Sequence, residues 1–127
     1  MATKEYKIVA NRIQTPDGTI LQSFWRHDYK TYKDKNGETY MIDGGLDYQR
    51  TYANKEPSKN ISVYNTDPHE KIREAFCWGK LSKEGHVFVP LMNLETDHIE
   101  AIVRTQNHIQ PHIRKLFEDE LEYRKVL

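Results

Sequence analysis

The chain has 127 residues, of which 37% are apolar and 30% charged, and its 19 basic residues balance 19 acidic ones. This length favours one domain, and a zero formal charge excludes the basic excess typical of proteins that bind long DNA or RNA. No apolar run approaches the ~20 residues of a membrane span. A single cysteine, Cys77, excludes an internal disulfide, and the start lacks an apolar leader, so we expect a cytoplasmic protein.

The first half of the chain has the pattern of strands joined by turns. Alternation over residues 6–11 predicts a half-buried strand, and Thr-Pro-Asp-Gly at 15–18 predicts a hairpin turn. Residues 19–33 contain neither Gly nor Pro and are rich in β-branched and aromatic side chains. They predict one long bent strand, or two strands with a bulge near 26–27. Lys-Asn-Gly at 35–37 predicts a type I′ hairpin turn.

Strand signals continue to the middle of the chain. Residues 38–42 predict a strand that Asp-Gly-Gly at 43–45 ends. The glycine pair indicates a turn, although it would also let a ligand approach the backbone closely. A further strand is predicted over 46–53. After a polar loop at 54–60, residues 61–64 predict a short edge strand.

The second half switches to helical spacing. Residues 67–70 supply a capping side chain, a first-turn proline and a reciprocal Glu. Apolar residues then follow at i, i+3 and i+4, so a helix is predicted here, and Gly79 can end it. Gly85 marks a turn between two extended pieces at 77–81 and 86–91.

Two more helices are predicted near the end of the chain. Thr96 can cap the first and Pro111 can open the second. Their apolar stripes are Ile99, Ile102 and Val103 in the first helix and Ile113, Leu116, Phe117 and Leu121 in the second. We therefore expect a single α+β domain over 1–127, with an antiparallel sheet at about 5–65 and two or three helices within 67–125.

Residues that would mark a catalytic or metal centre are few. Cys77 lies between two aromatic residues, where a small buried thiol is a simpler interpretation than a nucleophile. His108 and His112 have i, i+4 spacing, but Pro111 falls between them and a second cysteine is absent. We expect no metal and no cofactor. The acidic run at 118–120 is typical of a solvated helix face beside basic residues.

The densest group of binding-type residues is 24–29, with three aromatic rings, one arginine and one imidazole. Arginine recognises phosphate because its planar fork donates two parallel hydrogen bonds, and a purine can stack on Tyr, Trp or Arg. Arg26, His27 and Tyr29 are therefore candidate ligand-binding residues. The alternative is a sheet face with cross-strand aromatic and charge pairs.

Four more candidates lie in the second half. Arg104 points away from the apolar stripe of its helix, and it either reaches a ligand or pairs with Glu100. Arg114 flanks the stripe of the last helix and has the same ambiguity. Phe76 and Trp78 are candidates for stacking on a base, and a place in the core is the alternative for both.

Six segments, in chain order, resemble a group of small phage proteins. They are NRIQTPDGTILQS (11–23), RHDY (26–29), DGGLDY (43–48), NKEP (54–57), KIREAF (71–76) and DHIEAI (97–102). On these segments the chain resembles the phage anti-Thoeris sponges, the first-described family of Thoeris anti-defence proteins.

The resemblance implies a binding protein rather than an enzyme. Members of this family sequester cyclic ADP-ribose isomers made by bacterial TIR-domain defence proteins, and some also hold cyclic oligonucleotides of the CBASS system at a separate site. It further implies a homo-oligomer, a hexamer built from dimers, with pockets between subunits. An aromatic side chain would contact the adenine and arginines the diphosphate, and Asn93 could contact a ribose or base edge.

Two other classes of function stay open. A small nucleotide phosphodiesterase or glycohydrolase would depend on His27, Asp28 and His108 as its acid–base set. A protein–protein inhibitor or virion accessory factor would use the aromatic surface for a protein partner.

Overall fold

The structure is a computed structural model that describes residues 6–55 and 57–126. It divides into two compact units, Met1–Tyr64 and Asn65–Leu127, and each is described by itself. The fold is α+β as expected, with antiparallel strands in the first unit and three helices in the second. A single domain over 1–127 stays a prediction. In the described ranges, none of the helices is long and apolar enough to cross a membrane.

Two antiparallel sheets build the described part of the first unit. Their strands are β1 (Ile8–Gln14), β2 (Ile20–Ser23), β3 (Lys30–Lys33), β4 (Thr39–Asp43), β5 (Arg50–Ala53), β6 (Lys59–Asn60) and β7 (Val63–Tyr64). In one sheet β1 is central and pairs with β2, β6 and β7. In the other sheet β4 lies between β3 and β5. β1 is not the half-buried strand predicted, since its residues 9–11 are all buried.

Two of the predicted hairpin turns can be compared with the structure. The turn at 15–18 joins β1 to β2 as predicted, closed by a 2.9 Å bond from the Thr15 amide to the Thr19 carbonyl. The turn at 34–38 joins β3 to β4, but its predicted type I′ geometry is wrong. Type I′ needs positive φ at both central residues, and in the described chain only glycines, here Gly37, have positive φ.

The segment 19–33 forms two strands, which was one of the alternatives, but the predicted bulge is wrong. β2 pairs with β1 and β3 pairs with β4, so the break at 24–29 carries the chain from one sheet to the other. The break is a turn in which the Asp28 amide donates to the Trp25 carbonyl at 2.8 Å. Ser23 and Asp28 side chains bond to this backbone and compete with strand pairing.

The second unit contains three helices, a hairpin and a 3-10 helix in its described part. These are α1 (His69–Ala75), β8 (Cys77–Ser82), β9 (Gly85–Pro90), the 3-10 helix (Leu91–Asn93), α2 (Thr96–Thr105) and α3 (Pro111–Lys125). The predicted turn at Gly85 between two extended pieces and the start of α3 at Pro111 are confirmed, and the two pieces pair as a hairpin. The predicted caps are wrong, because the N-cap residues of α1 and α2 are Pro68 and Glu95, with no side-chain cap bond.

Gly79 does not end α1, contrary to the prediction. The helix stops at Ala75, and Gly79 lies inside β8 beneath the ring of Phe88. A Cβ at Gly79 would lie 3.2 Å from Phe88 Cε1, so the glycine makes room for this ring. The predicted stripes of α2 and α3 do form the core, where Ile99, Ile102, Ile113, Leu116 and Phe117 are buried.

Candidate functional site

Two neighbouring turns of the first unit form a rigid base for a surface. Ser23 joins them, since its hydroxyl donates to the Asp28 carbonyl at 2.6 Å and accepts from the Gly45 amide at 2.9 Å. The Asp28 carboxylate accepts from the Phe24 amide at 2.8 Å. Gly45 has φ +54°, and a Cβ there would lie 2.6 Å from the Arg26 backbone nitrogen. The space that the missing side chain of Gly45 leaves is thus filled by the protein's own backbone and not by a ligand.

The two turns carry a group of exposed side chains that we call the paired-turn surface. Its residues are Trp25, Arg26, His27, Tyr29, Tyr48 and Arg50. Trp25 is 50% exposed, Tyr29 is 57% exposed, and the Arg26 side chain is 67% exposed. The Trp25 and His27 rings meet edge to face with centroids 5.6 Å apart. Three candidates from the sequence, Arg26, His27 and Tyr29, therefore lie together on one turn, although the sequence predicted a strand there.

The two guanidiniums of this surface are held differently. Arg26 Nε lies 3.8 Å from Asp47 Oδ2 in an exposed pair, which is a weak interaction that leaves its donors available. Arg50 donates two bonds, at 3.2 and 2.5 Å, to the buried Asp43. These bonds raise the pKa of Arg50, and interactions with Tyr48 and Tyr29 contribute in the same direction. Arg50 is therefore a positive charge held in place by Asp43.

Sequence reasoning missed Arg50. The feature of the sequence that could have identified Arg50 is the turn at 43–48. This turn places Arg50 directly opposite Asp43 in the β4–β5 register. Cross-strand pairs of opposite charge are the expected partners at such a position. The predicted strand within 46–53 was too long to show this register, because β5 covers only Arg50–Ala53.

Asp28, one member of the acid–base set considered for an enzyme, has a role in the turn. Its Oδ2 accepts from the Phe24 amide and from Lys30 Nζ, both at 2.8 Å. A carboxylate with these two donors stabilises the turn and the base of β3.

The aromatic candidates of the second unit lie against its core. Phe76 is 2% exposed and packs edge to face on Phe117, with centroids 5.7 Å apart. Trp78 is half-buried and packs edge to face on the same Phe117 ring, with ring centroids 5.2 Å apart. Both side chains therefore pack against the core, which was the alternative to stacking on a base.

The two arginine candidates of the second unit differ. Arg114 donates to the carbonyls of Val103 at 2.7 Å and Gln106 at 2.9 Å, so it binds the last carbonyls of α2. Arg104 is exposed, and among the described residues no ion pair joins it to Glu100. Its guanidinium is therefore available to a ligand.

Asn93 lines a hollow of about 300 Å³ beside the β8–β9 hairpin. The other lining residues are Lys80, Val89, Leu94, Glu95 and His98. One ammonium, one imidazole, one amide and one carboxylate beside an apolar wall suit a small polar group. Trp78 is two residues before Lys80 on the same face of β8.

Glu120 corrects the prediction that the acidic run at 118–120 is a solvated helix face. Its side chain is fully buried and accepts from Arg73 at 2.9 and 2.8 Å, from Arg124 at 2.8 Å and from His69 at 2.9 Å. Burial acts to raise the pKa of Glu120, but the bonds from Arg73, Arg124 and His69 outweigh it and lower the pKa to about 2. The pattern missed this network because two partners lie in α1, far along the chain.

Within residues 6–55 and 57–126, no group of three or more His, Cys, Asp or Glu side chains is placed to hold a metal ion. His108 lies in the loop between α2 and α3, so its i, i+4 spacing from His112 is not helical.

The comparisons with protein-family models, curated proteins and solved structures gave no match. The resemblance to the anti-Thoeris sponges stays a prediction that rests on the six segments named above.

Proposed function

We propose that the chain binds a cyclic ADP-ribose-type nucleotide and sequesters it without cleavage, as a phage anti-defence protein. The observation that carries this proposal is the paired-turn surface. There a turn fixed by Ser23, Asp28 and Gly45 holds aromatic rings and an available guanidinium in solvent. Purine stacking on Trp25 or Tyr29 and phosphate contacts from Arg26 are the chemistry that such a ligand needs.

Preorganisation favours tight binding on this surface. Because the turn is already fixed by its own hydrogen bonds, a ligand does not have to order it. A stacked base provides roughly 1–3 kcal/mol, whereas binding near 1 nM needs roughly 12 kcal/mol. The difference requires a more enclosed site, and in this proposal a second copy of the chain in a homo-oligomer supplies the remaining contacts. Binding of cyclic oligonucleotides at a separate site is part of the same proposal.

The hydrogen bonds around the surface give two of its carboxylates structural roles, which supports binding over carboxylate-catalysed hydrolysis. Asp28 is committed to the Phe24 amide and to Lys30, and Asp43 is committed to Arg50. A carboxylate that acts as general base must be free to accept a proton from the reacting group. Neither of these two carboxylates is placed for that task.

The first test separates sequestration from catalysis. The protein is incubated with cyclic ADP-ribose and its isomers, freed of unbound nucleotide, and heated. Chromatography of the released material is expected to show intact cyclic nucleotide. Linear or hydrolysed product would mean that the chain is an enzyme and would overturn the proposal.

The second test concerns the residues. Arg26→Ala is expected to weaken nucleotide binding at least ~10-fold in titration calorimetry, since a lost charge-assisted hydrogen bond removes more than ~1.4 kcal/mol. The matched control is Lys35→Ala, which removes an exposed cation from the turn at 34–38 and should leave affinity unchanged. If Arg26→Ala binds like wild type, the site assignment is wrong, even where intact nucleotide is released.

A further inference from the structure

The second unit has an open groove between two antiparallel helices, which we call the α2–α3 groove. Arg124 at the end of α3 donates to Thr96 at the start of α2 at 2.8 Å, and Arg114 near the start of α3 donates to the Val103 carbonyl. The groove has a volume of about 560 Å³. It is lined by Thr96, Glu100 and Val103 of α2 and by Glu118, Leu121, Glu122, Arg124 and Lys125 of α3.

The floor of this groove is apolar and incompletely covered. Val103 and Leu121 belong to the apolar stripes of their helices, but both stay half-buried while the other stripe residues are buried. The lining residues recur at i, i+4 and i+7 along each helix, so each helix presents one continuous outer face. Two antiparallel helices with such faces leave the place that a third packed helix would occupy.

The rim of the groove is acidic. Glu100 and Glu118 are exposed, and within the described residues neither is in an ion pair. Both cations of the lining lie beside a carboxylate, since Lys125 forms an exposed pair with Glu122 at 3.0 Å and Arg124 pairs with the buried Glu120 at 2.8 Å. The groove therefore offers two unpaired carboxylates beside an apolar floor.

We propose that the α2–α3 groove docks a basic amphipathic helix of a protein partner. Apolar residues of this helix at i, i+3, i+4 and i+7 cover Val103 and Leu121, and its Lys or Arg residues face Glu100 and Glu118. A nucleotide is disfavoured here because its phosphates would meet carboxylates. A second copy bound face to face is disfavoured because the same acidic rims would oppose each other.

The test uses the intact chain and a synthetic probe. The probe is a peptide of about 14 residues, or roughly four helical turns, with leucines at the spacing given above and lysines beside them. A second peptide carries glutamates in place of the lysines. Fluorescence anisotropy is expected to show saturable binding of the lysine peptide alone, which weakens as salt rises. NMR shifts are expected to change along α2 and α3.

Matched variants locate the contact. The double variant Glu100→Lys, Glu118→Lys is expected to bind the lysine peptide at least ~10-fold more weakly, because like charges then face each other. Glu84→Lys makes the same kind of change at the exposed β8–β9 turn and should leave binding unchanged. Helical circular dichroism checks that each variant is folded.

Four results would each overturn the docking proposal. They are no saturable binding, equal binding of both peptides, unchanged binding by the double variant, and self-association of the chain that the double variant abolishes. The last result would assign the groove to a second copy. None of them bears on nucleotide sequestration, which the paired-turn surface carries.

Discussion

Glu120→Ala is expected to lower the free energy of unfolding of the second unit by about 3–5 kcal/mol. The carboxylate is fully buried and is the shared acceptor for Arg73, Arg124 and His69. Its removal leaves two largely buried guanidiniums without their counter-charge, and this uncompensated charge is the source of the cost. Urea unfolding followed by helical circular dichroism measures the change.

The neighbouring residue provides the control. Asp119 pairs with Lys115 at 3.0 Å on the solvent side of the same helix, an i, i+4 pair. Asp119→Ala should cost no more than about 0.5 kcal/mol, because exposed pairs of this kind contribute little. If Glu120→Ala and Asp119→Ala destabilise the protein equally, the buried network does not hold the helices together.

The same network predicts a pH dependence. The folded-state pKa of Glu120 is about 2, below its usual value of 4.5. A lowered folded-state pKa means that the stabilisation is fully present above 4.5 and is lost as the pH falls through about 2. The difference in unfolding free energy between wild type and Glu120→Gln should therefore shrink between pH 4.5 and 2. A difference that is constant across this range would contradict the assignment.

The sequence predicted local features of the fold well and long-range ones poorly. Pro111 at the start of α3 and the Thr-Pro-Asp-Gly hairpin at 15–18 are short-range signals, and both are confirmed. The predicted end of α1 was wrong because Gly79 makes room for the ring of Phe88 on the paired strand. The burial of Glu120 was missed for the same reason, since its partners Arg73 and His69 lie in another helix. Residue type and spacing along the chain do not predict which distant residue a side chain will contact.

The candidate site shows the same limit. The composition of 24–29 identified the residues, yet the segment is a turn because Ser23 bonds to Gly45, 22 residues away. The glycine pair at 44–45 was interpreted as a turn that could admit a ligand. In the structure Gly45 lies against the backbone of Trp25 and Arg26, and Gly44 against that of Tyr48. The glycines and the aromatic segment were assigned separately, although together they form one surface.

Gly45→Ala is therefore expected to affect both the fold and the proposed site. Positive φ costs an alanine about 1–2 kcal/mol, and a close contact in a packed region adds about 1–3 kcal/mol. The new Cβ would lie 2.5 Å from Trp25 Cα and 2.6 Å from the Arg26 nitrogen, both of them backbone atoms that cannot rotate away. We expect a total loss of about 3 kcal/mol of unfolding free energy. Hydrogen exchange of the β3–β5 amides measures this loss within the first unit.

Gly18→Ala separates the two causes. Gly18 also has positive φ, at +92°, but a Cβ there would have no neighbour within 4 Å. Gly18→Ala should therefore lower the free energy of unfolding only by the cost of positive φ, about 1–2 kcal/mol, and leave nucleotide binding unchanged. Gly45→Ala should in addition weaken nucleotide binding, because relief of its contact displaces the turn that carries Trp25 and Arg26. If Gly45→Ala binds the nucleotide as tightly as Gly18→Ala does, the position of this turn does not matter for the ligand, and the paired-turn surface is not its site.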